Sequence, residues 1–192
     1  SGTENPGSSN LIQQAGLATG VIGVMADLLK GALPVILTVS LGFEPWVTGL
    51  CSVLAVAGQM WPAFLTIKGG RGNVTMVGAT VPIIPWALLI SFIPPLIGFL
   101  WKEISQRFIT KEREKSREFL QGPQSRIAPL AVLIGVVILP IATLYTGHPR
   151  EIIAGITGIS CLIIIRRLTA NLRADWHYTE GTLFSVLVSR LL

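Results

Sequence analysis

Lys68-Gly69-Gly70-Arg71-Gly72 lies between two long apolar stretches and has the composition of a phosphate-holding turn. Glycines leave backbone N–H groups free to close around anionic oxygens, and the flanking Lys and Arg supply charge. Thr75 follows closely, with a hydroxyl suited either to cap a helix or to donate to an anion. Residues 1–10 form a second polar segment, in which Ser8 and Ser9 offer hydroxyls, Asn5 and Asn10 offer amides, and Gly2 and Gly7 loosen the backbone. A third segment holds Asn171 and Arg173 beyond Arg166 and Arg167. A helix cap explains Asn171 equally well, and a stop-transfer pair explains the two adjacent arginines. Asp27 and Lys30 stand one helical turn apart inside an apolar run. That spacing lets them pair, which lowers a cost of ~2.5–3.5 kcal/mol for each charge at membrane depth. The pair either marks a site or only steadies a helix.

The elements that must position these groups are helices in a bilayer. Of the 192 residues, 51% are hydrophobic and 13% charged, against about 25% charged in ordinary soluble domains. The predicted fold is an all-α, polytopic integral membrane bundle, a single domain over 1–192 with about six membrane segments, some short or broken. Apolar stretches cover residues 15–41 and 46–66, with a turn at Gly42-Phe43-Glu44-Pro45 between them. Residues 127–145 and 152–165 read as a final hairpin through Gly147-His148-Pro149-Arg150, and residues 182–192 are apolar enough to pack on the bundle or the interface. Residues 73–101 contain Pro82, Pro85, Pro94 and Pro95 and are too long for one simple crossing of ~20 residues. Two crossings, the first a short helix ending near Pro82, put all the basic loops on one side and satisfy the positive-inside rule. Short helices at that depth require burial in protein or a polar cavity.

Charge placement is a topology signal. Seven of fifteen Lys/Arg fall between Lys102 and Arg126, and four at or beyond Arg166. Residues 103–120 read as a charged helix on the cytoplasmic face. Those cations are mixed with Glu103, Glu112, Glu114 and Glu118, which argues against nucleic acid as a partner. Cys51 and Cys161 have no metal or redox spacing, so neither metal nor cofactor is expected. The polar opening at Ser1 suggests that one further span precedes it.

Together the motifs resemble the acyl-phosphate-dependent glycerol-3-phosphate acyltransferases, the PlsY family. Its opening loop, Gly-Ser-Gly-Asn-x-Gly-Ala-Thr-Asn, is similar to residues 2–10. Its Asp-x-x-Lys-Gly is matched by Asp27, Lys30 and Gly31, and its Lys-Gly-Gly-Lys-Gly-x-x-x-Thr by residues 68–72 with Thr75 nearby. Three positions depart from the pattern: Gln13 replaces an arginine, Gln59 a histidine and Leu168 a histidine, while Arg173 falls one place early. Loss of these donors is expected to weaken phosphate binding.

The resemblance implies attack of the sn-1 hydroxyl of glycerol 3-phosphate on the carbonyl of an acyl phosphate, at the cytoplasmic face of a bacterial inner membrane. It implies a catalytic set of Asn5, Ser8, Ser9, Lys30 and Lys68. Gly7, Asn10, Asp27, Gly69, Gly70, Arg71, Gly72, Thr75, Ser125, Asn171 and Arg173 are the implied phosphate and substrate contacts. The expected partners are the lipid bilayer and the two phosphorylated substrates. Positioning and charge stabilisation suit an already activated acyl group, and no Ser-His-Asp set appears. Two other readings fit the same residues: a small-anion transporter, and a weakly active paralogue that binds lipid or a partner.

Overall fold

A computed structural model of the chain describes residues 17–62, 69–112 and 127–169. Among these, six helices and no strands are found: α1 Leu17–Ser40, α2 Pro45–Met60, α3 Asn73–Thr80, α4 Pro85–Glu112, α5 Ile127–Tyr145 and α6 Arg150–Thr169. The all-α bundle expected from composition is what forms. The divided reading of residues 73–101 also holds, since α3 is a short helix of 8 residues, about 12 Å long. Pro82 stands just past its end, and Pro85 opens α4, where a missing N–H costs nothing. Residues 103–112 differ from expectation. They continue α4 without a break instead of starting a separate surface helix, because Lys, Glu, Gln and Arg are good helix formers and nothing there interrupts the ladder. Residues 113–120 of that expected helix lie outside the described residues.

Prolines inside the long helices would each leave one carbonyl without its usual partner four residues on. At Pro140 and Pro95 the freed carbonyl meets a neighbouring helix. Pro140 in α5 frees the Val136 carbonyl, and Ser160 Oγ of α6 donates to that oxygen at 3.0 Å. Pro95 in α4 frees the Ser91 carbonyl, against which Gly135 of α5 packs with no side chain between. Proline is tolerated at membrane depth when an adjacent helix takes up the freed group in this way. Buried hydroxyls follow the same rule. Thr38, Ser52, Ser91 and Thr143 each donate to a carbonyl in the preceding turn.

Small residues bring the helices together. Gly31 of α1 and Gly78 of α3 meet at a crossing where backbones touch: a Cβ on Gly31 would lie 2.8 Å from Ala79 N. Gly49 of α2 faces Gly155 of α6, and a Cβ on Gly155 would lie 2.8 Å from Gly49 Cα. Such small-residue seams are how helices associate in lipid, where apolar burial gives no net drive. Val35, Val56, Met60, Ile84, Leu139, Ile156 and Ile159 fill the interior. Outward, Ile22, Met25, Leu29, Leu33, Trp86, Leu89, Phe92 and Ile93 are exposed. An exterior with so many exposed large apolar side chains is unsuited to water and suited to acyl chains. Helices α1 and α6 are long and apolar enough to cross a bilayer alone, while α2, α4 and α5 contribute shorter apolar lengths.

Two four-residue connections, 41–44 and 146–149, make antiparallel pairs of α1 with α2 and of α5 with α6. Helices α2 and α6 lie side by side and run the same way. Gly49 meets Gly155 near their starts, and Trp61 meets Arg166 near their ends. The start of α1, the end of α2, the glycine turn and the end of α6 therefore share one end of the bundle.

Candidate active site

At that end an open cavity of about 480 Å³ lies between α1 and α2 and is floored by the glycine turn. Asp27 and Lys30 line it from α1, Gln59 and Pro62 from α2, and Gly69 and Gly70 from the turn. Gly23, Ala26, Leu54, Ala55 and Gly58 make the rest of the wall apolar and narrow in side-chain bulk. The cavity thus joins a polar head to an apolar furrow.

Lys30 Nζ sits 3.6 Å from Asp27 Oδ1, so the sequence spacing does produce the pair. The lysine side chain is 61% exposed and the aspartate 17%. The ammonium therefore stays available to a ligand while the carboxylate is held inside. Gln59 Nε2 donates to the same Asp27 oxygen at 2.8 Å. Gln59 thus remains a donor, but its bond goes to Asp27.

The glycine turn is built by close approach. A side chain on Gly69 would run into the carbonyls of Gln59 and Met60 at the end of α2. Gly72 has φ +74°, a left-handed conformation that suits glycine, and it begins α3 with no side-chain cap. The first bond of that helix runs from Met76 N to Gly72 O, so the first-turn N–H groups before it are unused by the helix. They carry the positive end of the helix dipole, an arrangement that favours an anion. Thr75 is fully buried in that first turn, and its Oγ1 has no hydrogen-bond partner. The Asn73 Oδ1 beside it is also buried without a partner.

Arg166, read from the sequence as half of a stop-transfer pair, has a further role. Its NH2 donates to Gly69 O at 2.7 Å, and its guanidinium carbon lies 5.8 Å from the Trp61 ring centroid. It ties the end of α6 to the turn across 97 residues of chain. Arg167 is close enough to Arg71 for the two guanidinium groups to repel each other. Arg71 is exposed, so the turn projects one cation outward and is held from behind by another. No local sequence signal marks Arg166 as a turn-holder. Its partner is a backbone carbonyl supplied by tertiary packing.

The structure brings together Asp27, Lys30, Gly69, Gly70, Arg71, Gly72 and Thr75 among the expected site residues. Asn5, Gly7, Ser8, Ser9, Asn10, Gln13, Lys68, Ser125, Asn171 and Arg173 lie outside the described residues. Among the described residues no group of His, Cys, Asp or Glu could hold a metal ion. Cys51 and Cys161 are both free thiols.

Fold and site define a class: a polytopic, integral membrane helix bundle with a glycine-floored, cation-flanked cavity at one end. The profile of the glycerol-3-phosphate acyltransferase family matches residues 1–109. The chain belongs to that family. It is 29% identical over 181 residues to the glycerol-3-phosphate acyltransferase of Rubrobacter xylanophilus, covering 93% of this chain and 78% of that one. It is 33% identical over 141 residues to that of Aquifex aeolicus, covering 72% and 73% of the two chains. Crystal structures of PlsY, an integral membrane glycerol 3-phosphate acyltransferase, share the fold. The glycerol 3-phosphate form superposes with a TM-score of 0.69 at 25% identity, over 97% of this chain and 82% of that one. The lysophosphatidic acid form gives 0.67 at 26% identity, over 96% and 83%.

Proposed function

We propose that this protein transfers an acyl group from an acyl phosphate to the sn-1 hydroxyl of glycerol 3-phosphate. The hydroxyl oxygen attacks the acyl carbonyl carbon, and the bond from that carbon to the phosphate oxygen breaks. The departing phosphate takes the hydroxyl proton, so lysophosphatidate and inorganic phosphate leave. The observation that carries this reading is the cavity whose polar head combines the Gly69–Gly70 backbone with Lys30 and whose wall is apolar. One end suits phosphate and the other suits an acyl chain.

Within this reading Lys30 and Arg71 supply positive charge to the phosphorylated reactants, and Asp27 holds Lys30 in place. The uncapped start of α3 adds oriented N–H groups and the Thr75 hydroxyl. Lys68, Asn171 and Arg173 complete the glycerol 3-phosphate site. Asn5, Gly7, Ser8, Ser9 and Asn10 cradle the acyl phosphate, and Ser125 adds a hydroxyl contact. Because the acyl group arrives activated, the protein's contribution is orientation and charge stabilisation, with no covalent intermediate.

The bundle sits in a bacterial inner membrane with the cavity facing the cytoplasm. Arg71, Arg166 and Arg167 cluster at the cavity end, while the opposite end carries Glu44, Arg150 and Glu151. That bias supports this orientation through the positive-inside rule. The test is turnover by purified protein in detergent or proteoliposomes with palmitoyl phosphate and glycerol 3-phosphate. Stoichiometric lysophosphatidate and phosphate are expected. Turnover with an acyl thioester but none with palmitoyl phosphate would overturn the donor assignment.

A further inference from the structure

We infer that Gln59 is a positioning residue of this site, acting through Asp27 to set where Lys30 presents its charge; the inference rests on the acyltransferase reading above. Lys30 and Asp27 alone form a loose pair. Their 3.6 Å separation and the 61% exposure of the lysine leave the ammonium free to wander, and such exposed pairs hold their geometry weakly. Gln59 changes this by pinning the aspartate. Its amide nitrogen reaches across from α2, 32 residues away in sequence, and donates to the very oxygen that Lys30 uses, at 2.8 Å. With Asp27 anchored by a second helix, the lysine pivots on a fixed point.

The same amide also borders the phosphate-binding turn. A Cβ on Gly70 would lie 3.6 Å from Gln59 Nε2, so the side chain fills the space between the turn and α1. All four residues, Gly70, Gln59, Asp27 and Lys30, line one cavity. Gln59 therefore sets the distance between the two anion-holding elements, the turn and Lys30. Its chemistry fits this role. A neutral donor satisfies Asp27 without cancelling its charge, so Asp27 still balances Lys30. Arg71 and the α3 terminus then set the positive potential. A carboxylate at position 59 would instead face Asp27 as a like charge, and an aliphatic side chain would leave the aspartate oxygen without this donor.

The test is a double-mutant cycle on Gln59→Glu and Asp27→Asn. Two measurements are made on each protein: glycerol 3-phosphate affinity by calorimetry, and steady-state turnover with palmitoyl phosphate. Gln59→Glu is expected to weaken glycerol 3-phosphate binding more than tenfold. Adding Asp27→Asn exchanges donor and acceptor across the same contact and restores affinity to within about threefold of the wild type. Gln59→Ala, measured as a second variant, is expected to weaken binding five- to tenfold with a smaller change in kcat than in KM. Additive effects in the cycle, or wild-type affinity in Gln59→Ala, overturn the inference. A wild-type protein that binds glycerol 3-phosphate but turns over no acyl phosphate overturns the acyltransferase reading instead, and the affinity cycle then judges Gln59 by itself.

Discussion

Substituting Gly78 by alanine tests whether the α1–α3 crossing sets the geometry of the site. Gly78 packs on the backbone of α1 directly before the Asp27–Lys30 turn ends. A Cβ there would collide with the Leu28 carbonyl oxygen and lie 2.9 Å from Leu28 C and 3.2 Å from Ala32 N. Those contacts are backbone, so no side-chain rotation relieves them. Ordinary carbon–oxygen contacts run at about 3.3–3.6 Å, so the helices must part by about 1 Å. That shift carries Lys30 away from the glycine turn by a similar amount. A misplacement of about 1 Å in a positioned reactant can cost about 100-fold in rate, or about 2.7 kcal/mol of barrier. The assay is phosphate release from palmitoyl phosphate in the presence of glycerol 3-phosphate, with thermal melting measured in parallel. Gly31→Ala meets the Thr75 carbonyl across the same seam, and it is expected to act alike and non-additively with Gly78→Ala. Gly42→Ala is the control. Gly42 has φ +69° and open space around it, in the turn at the far end. It should lose about 1 kcal/mol of stability and no activity. Full turnover by Gly78→Ala would refute the reasoning.

Arg71→Ala removes the outward cation of the turn. Loss of a charge-assisted hydrogen bond of about 1.5–3 kcal/mol raises KM for glycerol 3-phosphate by about 10- to 150-fold, read from initial rates over a wide substrate range. Arg166→Ala loses the bond to Gly69 O and the contact with Trp61. It should cost about 2 kcal/mol, seen as a lower Tm together with reduced turnover, and Arg166→Lys should recover only part because an ammonium that reaches the carbonyl lacks the planar group that lies over Trp61. Gly72→Ala places a side chain at φ +74° and 2.6 Å from Met60 Cε. Turnover should fall at least tenfold, and Met60→Ala in the same chain should return some of it by opening that space.

Much of the bundle was legible because its signals are local. Glu44-Pro45 and His148-Pro149 mark hairpins, and the Asp27–Lys30 spacing fixes a pair on one helix face in any packing. Pro82 and Pro85 mark the gap between α3 and α4. Pro94 and Pro95 do not interrupt the second crossing, since α4 runs through both. Whether a proline breaks a helix depends on what covers the freed carbonyl, and Gly135 is supplied by another helix. Gln59 and Arg166 were hidden for a related reason. A glutamine matched against an expected histidine reads as a lost donor, and an arginine at a helix end reads as a stop signal. Their partners, Asp27 and the Gly69 carbonyl, become visible only once α1, α2 and α6 are in place.

A structure with glycerol 3-phosphate bound tests the central claim most directly. The phosphorus is expected within about 4 Å of the Gly69–Gly72 backbone nitrogens, with Lys30 and Arg71 both turned toward its oxygens and the glycerol facing the apolar wall at Leu54 and Ala55. Glycerol 3-phosphate seated elsewhere in the bundle, with the glycine turn and Lys30 untouched, would contradict it.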